Sequence, residues 1–151
     1  MSQLDPEAIA QKLSRMVERL ERLKTFESLT LEEYLQDDLK QAAVERLLEI
    51  VIDTALSINK TLLKRAAGLT PTEPSQGFRN FESFVLVGQQ SYIPASLAEQ
   101  LAPSGSFRNV LAHEYDDIDP TQVYEALQKA LRQYPLYVKA IQTYLDTLED
   151  D

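Results

Sequence analysis

Apolar residues recur along the chain at the three-and-four spacing of amphipathic helices. Strand signals are poor: β-branched residues rarely cluster, and no Asn-Gly or Asp-Gly hairpin pair occurs. The pattern predicts a first helix opening at Asp5 as N-cap with Pro6 in the first turn. Ile9, Leu13, Met16, Val17, Leu20 and Leu23 form its apolar stripe. Thr30 to Glu33, "TLEE", reads as a capping box opening a segment that runs to Gly68, a natural left-handed stop. Asp37 and Asp38 can divide that segment into a short helix and a long one. Leu39, Ala43, Leu47, Ile50, Val51, Ala55, Ile58 and Leu62 supply its core stripe.

Residues 69–77, "LTPTEPSQG", read as a loop. Further helices are expected over about Phe78 to Gly88 and Pro94 to Ala102, with Pro103, Ser104 and Gly105 breaking the chain. A short helix capped by Ser106 would then end near His113. The last helix starts at Asp119-Pro120 and reaches about Leu148, with Pro135 expected to kink or interrupt it. The expected fold is all-α: one domain over residues 1–151, a bundle of five or six helices with no internal repeat.

Composition narrows the function classes. The chain has 151 residues, 15 Lys+Arg against 24 Asp+Glu, a net charge of −9 and a pI of about 4.6. An acidic chain opposes non-specific nucleic-acid binding, so any RNA-directed role needs a local basic lining or a partner. Ten of the fifteen basic residues fall within residues 1–67. With no cysteine there is no thiolate chemistry and no disulfide framework. No apolar run approaches the ~18 residues that span a bilayer. The acidic, amphipathic N-terminus is unlike a signal peptide, and a cytoplasmic protein without membrane contact is expected.

The candidate chemistry lies in Phe107 to Asp119, "FRNVLAHEYDDID", which holds the only histidine. One reading is structural. His113 at a helix C-terminus gains about 0.3–1 kcal/mol from the dipole, Val110, Leu111 and Ala112 face the core, and "DDIDP" caps the last helix. The other is catalytic. A histidine near neutral pKa can shuttle protons between a 2′-hydroxyl and a leaving oxygen, and Arg108 can hold a phosphate bidentately. On the short helix expected here Arg108 would sit in the first turn, where a cation opposes the dipole. An ideal helix separates Arg108 from His113 by about 140° and from Tyr115 by about 20°. With one histidine per chain, a C2 dimer could complete a site that one helix face does not. Glu114, Asp116, Asp117 and Asp119 with His113 are a solvated turn rather than a metal site, so no metal is expected. Tyr124, Tyr134, Tyr137 and Tyr144 sit at helical spacing and are assigned to packing.

"RNVLAHEY" resembles the R-x4-H-x-Y signature of HEPN-domain toxins of the HepT group, including the polar Asn109 after the arginine. "AAVERLLEIVIDTALSINKTLL" resembles that family's long second helix, and the similarity covers about residues 35–148. The resemblance implies a dimeric, metal-independent endoribonuclease needing no cofactor. It would be the toxin of a type VII-like toxin–antitoxin pair and would cleave RNA, whether tRNA or mRNA. The implied partner is an MntA-like minimal nucleotidyltransferase that silences it by attaching AMP to the motif tyrosine. Carried over, Arg108 would bind the phosphate, His113 would be the acid/base, Asn109 a polar support and Tyr115 both a site component and the AMP acceptor. The basic lining could come from Arg79 or from Lys60, Lys64 and Arg65. The alternative is a HEPN-type module without nuclease activity that serves as a nucleotidyltransferase's helical partner.

Overall fold

The computed structural model describes residues 4–113 and 117–149, with His113 described by its backbone alone. Among these residues there are six helices and no strand. They are α1 (Pro6–Lys24), α2 (Leu31–Leu35), α3 (Asp38–Thr61), α4 (Asn80–Gln89), α5 (Ala95–His113) and α6 (Pro120–Glu149). None is long and apolar enough to cross a membrane.

Local signals set most helix starts. Asp5 Oδ1 accepts from the N–H groups of Glu7 and Ala8 at 3.1 and 3.2 Å. The Thr30–Glu33 capping box is reciprocal, at 3.0 and 3.1 Å. Asp37 then caps α3 through Lys40 N–H, so the acid pair does divide a short helix from a long one. Asp119 accepts from Thr121 N–H at 2.9 Å and opens α6.

At its far end α3 widens into a π turn, Leu62–Ala66, and stops at Gly68, whose φ of +69° suits a residue without a Cβ.

α3 lies at the centre, packed against α1, α4, α5 and α6. Ile9, Leu13, Met16, Leu20 and Leu23 of α1 are buried, as the stripe predicts, but Val17 is 39% exposed. On α3 the expected stripe is off by one position at its start. Leu39 is 83% exposed, and Val44, Leu48, Val51, Ile52, Ala55, Leu56 and Ile58 carry the burial. A helix enclosed by four neighbours buries more than one face, so a single stripe misplaces its edge. α6 meets this core with Val123, Leu127, Tyr134, Tyr137, Ile141 and Leu145. It runs unbroken through Pro135, so the proline does not interrupt it.

The clearest departure is α5. Pro103, Ser104 and Gly105 do not break it; the helix is continuous from Ala95 to His113. A proline inside a helix costs about 3 kcal/mol, so close packing must offset it. A Cβ on Gly105 would stand 2.8 Å from the carbonyl carbon and oxygen of Asn80, and one on Gly88 would stand 2.5 Å from Ala98 Cβ. Gly105, which reads as part of a break, is thus a point where α5 touches α4, as Gly88 is further along. Ser104 Oγ adds bonds to Leu101 O at 2.6 Å and to the Tyr134 hydroxyl at 2.7 Å.

Candidate functional site

The continuous α5 changes the setting of Arg108. It lies in the C-terminal part of a 19-residue helix, not in a first turn, so the dipole does not oppose its charge. Its side chain crosses to α3. Arg108 Nε donates to Asp53 Oδ1 at 2.6 Å and Nη2 to Asp53 Oδ2 at 3.4 Å. The hydrogen bond to Asp53 raises the guanidinium's pKa, against the opposing effect of burial, with smaller support from the Asp53 and Glu49 charges. The two side chains remain 28% and 42% exposed. Pairs this open contribute only about 0–1 kcal/mol to stability.

Lys60 lies two turns beyond Asp53 on the same face of α3. Its Nζ donates to Asn80 Oδ1 at 2.8 Å, and Asn80 Nδ2 reaches Asn109 Oδ1 at 3.4 Å. Burial pushes the Lys60 ammonium below its ordinary pKa, Arg108 pushes it further down, and Asp53 opposes both. Three helices therefore bring Asp53, Lys60, Asn80, Arg108 and Asn109 into one half-exposed polar cluster. Close packing of Gly105 on Asn80 fixes the α4 start against the turn of α5 that carries Arg108 and Asn109.

A second network lies beneath it. Asn59 is fully buried, accepts from the Tyr137 hydroxyl at 2.6 Å and donates to Ser83 Oγ at 3.3 Å. Ser83 in turn donates to the Asn80 carbonyl at 2.8 Å. Tyr137 and Tyr134 are core residues, Tyr124 donates to Leu29 O at 2.7 Å and Tyr144 packs edge-on against Tyr92, so all four tyrosines of α6 are packing residues as expected.

Of the motif residues, Arg108 and Asn109 fall in the surface cluster. His113 is the last described residue of α5, and its side chain lies outside the described part. Tyr115, Glu114 and Asp116 also lie outside the described residues. Asp119 is accounted for as the α6 cap. Among the described residues no group of three or more His, Asp or Glu is placed to hold a metal. Of the expected basic lining, Lys60 joins the cluster, while Lys64, Arg65 and Arg79 are exposed. Sequence reasoning passed over Asp53 and Asn80. The one local hint is a carboxylate at the centre of α3 in "EIVIDTALSINK", where an unpaired charge would be unfavourable.

The two larger of the open grooves seen among the described residues lie elsewhere. One of about 750 Å³ runs between Tyr92, Pro94 and Leu97 on one side and Leu136 and Tyr144 on the other; a second of about 530 Å³ is bordered by Phe107, Glu125 and Tyr134. Neither is lined by Arg108 or Asn109.

The profile of the HepT-like family, described as Ribonuclease HepT-like, matches residues 16–141. The tRNA nuclease HepT of Aphanizomenon flos-aquae (strain 2012/KM1/D3) is 40% identical over 151 residues, covering all of this chain and 99% of that protein. Among solved structures, the cytosolic protein of unknown function YutE from Bacillus subtilis superposes with a TM-score of 0.74 at 19% identity, over 97% of this chain and 94% of that one. A tri-AMPylated HEPN toxin from Shewanella oneidensis, in complex with its MNT antitoxin, superposes with a TM-score of 0.68 at 18% identity, over 91% and 96%. At such identities the two structures speak for the fold alone, an all-helical bundle. The family match and the full-length relative go further: this chain belongs to the HepT-like family.

Proposed function

We propose that this protein is a metal-independent endoribonuclease, the toxin of a pair whose antitoxin is a minimal nucleotidyltransferase. The observation that carries the reading is Arg108: the arginine of an R-x4-H-x-Y motif, held at the surface among polar groups rather than buried as a structural ion pair. The relative named a tRNA nuclease supports RNA, tRNA first, as the substrate.

Arg108 receives the scissile phosphate and offsets the charge that develops on it, a role worth on the order of 10²–10³ in rate. His113 takes the proton of the 2′-hydroxyl as it attacks phosphorus. The bond to the 5′-oxygen breaks, a cyclic phosphate forms, and an imidazolium returns the proton to the leaving oxygen. Such acid–base help contributes about 10²–10⁴. With one histidine per chain, the two proton transfers fall to one imidazole at successive stages or to the pair in a C2 dimer. Asn109 supports the site as a neutral hydrogen-bonding group, and Lys60 adds a second cation to an otherwise acidic chain. The whole chain acts as a single domain in the cytoplasm, with no cofactor.

Tyr115 is the AMP acceptor. Phosphate charge and bulk added two residues beyond His113 would repel and obstruct RNA. The Shewanella neighbour, tri-AMPylated and bound to an MNT antitoxin, supports this regulation.

The test is cleavage of tRNA by purified protein in the presence of EDTA. Wild-type activity should survive chelation and fall by about 10²-fold or more in Arg108→Ala and His113→Ala. Strict dependence on added Mg²⁺ would overturn the mechanism. Co-expression with a minimal nucleotidyltransferase should add one or more AMP units, as seen by mass spectrometry, and none in Tyr115→Phe. The net charge of −9 favours a second reading, a nuclease-dead partner module. Expression without any partner separates the two: intact growth and intact cellular RNA would select the module.

A further inference from the structure

We propose that Asp53 is a positioning residue for Arg108, gripping one edge of its guanidinium so that the opposite end stays presented to an RNA phosphate. The inference rests on the ribonuclease reading above for what the arginine contacts, but not for the grip itself.

The geometry of the pair is specific. A guanidinium can meet a carboxylate end-on, through both Nη atoms, or side-on, through Nε and one Nη. Asp53 uses the side: Oδ1 takes Nε–H at 2.6 Å and Oδ2 faces Nη2 at 3.4 Å. The Nη1/Nη2 end is thereby left for a second planar or tetrahedral oxyanion, whose two oxygens it matches. An end-on carboxylate would have competed with phosphate for the same donors; a side-on one does not. It also removes freedom from a long side chain, which would otherwise have to be ordered when RNA binds.

Stability gives a weak reason for the pair. Both partners are partly exposed, and Asp53 stands on α3, 55 residues away in sequence, where its neighbours Ile52 and Ala55 are core residues. Glu49, one turn earlier on α3, is already engaged by Arg46 Nη1 at 2.7 Å, so Asp53 is the carboxylate that meets Arg108. Its charge also offsets the repulsion between Arg108 and Lys60, allowing two cations on one small surface.

Asp53→Asn keeps the shape and removes the charge. At saturating tRNA its cleavage rate should fall roughly tenfold, with KM unchanged or lower, because the loosened arginine still attracts phosphate but no longer at the reacting angle. In an Arg108→Ala background the same substitution should add little to the loss, since Arg108 is the side chain Asp53 bonds and its charge reaches Lys60 only through space. The melting temperature of Asp53→Asn should stay near that of the wild type. An unchanged rate, a faster rate, or a loss that multiplies with that of Arg108→Ala would each overturn the proposal. A second measurement needs no activity. The Arg108 Nε–H resonance, assigned by its disappearance in Arg108→Lys, should exchange slowly in the wild type and rapidly in Asp53→Asn. If the wild type cleaves no RNA while this resonance behaves as stated, the ribonuclease reading falls and the grip stands. If the wild type cleaves RNA and the resonance is insensitive to Asp53→Asn, the grip falls and the reading stands.

Discussion

Two polar networks meet at Asn80, and they differ in kind. Its carbonyl ends the buried one, Tyr137–Asn59–Ser83, while its side chain joins the surface one, with Lys60 and Asn109 beside the Asp53–Arg108 pair. The buried network is neutral throughout. Burial pushes the Tyr137 hydroxyl well above its ordinary pKa, so it stays protonated and donates. Its groups are satisfied by one another because an unpaired dipole in the core has no water to fall back on. The surface network is built from charges that water still screens, with donors left for a ligand. Neutral and closed suits a polar group that holds the fold together; charged and partly open leaves donors that the proposed ribonuclease chemistry would use.

That distinction predicts opposite outcomes for neighbouring substitutions. Asn59→Ala should cost the most, about 2–3 kcal/mol, because it leaves a cavity and takes a partner from two buried hydroxyls. For a chain of this length that lowers Tm by about 4–12 °C, while the molecules still folded cleave RNA nearly as well as the wild type. A thermal melt and a cleavage assay on one preparation check both halves; a specific loss of activity at unchanged Tm would erase the contrast.

Gly105→Ala tests the joint between the two networks. The added methyl would meet Asn80 C and O at 2.8 Å and Phe81 N at 3.1 Å, so α4 and α5 must separate by a fraction of an ångström. Overpacking of this kind costs about 1–3 kcal/mol. It also moves Asn80 away from Lys60 and Asn109, so stability and activity should fall together. Full activity per folded molecule would show that Asn80 does not link the networks.

How far these features can be read without coordinates follows from the range of the interactions. Asp5, Thr30 with Glu33, Asp37 and Asp119 act on backbone N–H groups two or three residues away, and all were legible as helix starts. Gly68 was legible for the same reason. Pro103, Ser104 and Gly105 were misread because their local preference for a break is real, yet it is overridden by contact with α4 and α6. Misplacing that break also put Arg108 at a helix start and made its dipole environment look adverse. Arg108 and Asn109 are neighbours in sequence, so their falling together in one cluster could be anticipated. Asp53 and Asn80, at separations of 55 and 29 residues from Arg108 and Asn109, carry no spacing that would reveal them. His113 and Tyr115 rest on the sequence alone, their side chains lying outside the described residues.

The smallest expected effect falls on Lys60, where the contrast between the networks becomes a difference of sign. Burial and the nearby Arg108 hold its pKa below the ordinary 10.5, with Asp53 only partly compensating. The folded chain therefore binds this proton less tightly than the unfolded chain does, and protonation of Lys60 favours unfolding. The penalty is fully present below the folded-state pKa and disappears as pH rises toward the ordinary lysine value. Lys60→Met keeps the aliphatic stem and removes the charge, so at neutral pH it should leave Tm unchanged or slightly raised. It should also flatten the rise in stability between neutral pH and the lysine range. RNA binding should move the other way, weakening about three- to tenfold, with the slope of log affinity against log salt reduced by about one. Parallel melts at two pH values and a salt titration of tRNA binding measure both. A lower Tm at neutral pH with unaltered RNA affinity would make Lys60 a structural residue and return Asn80 wholly to the buried network.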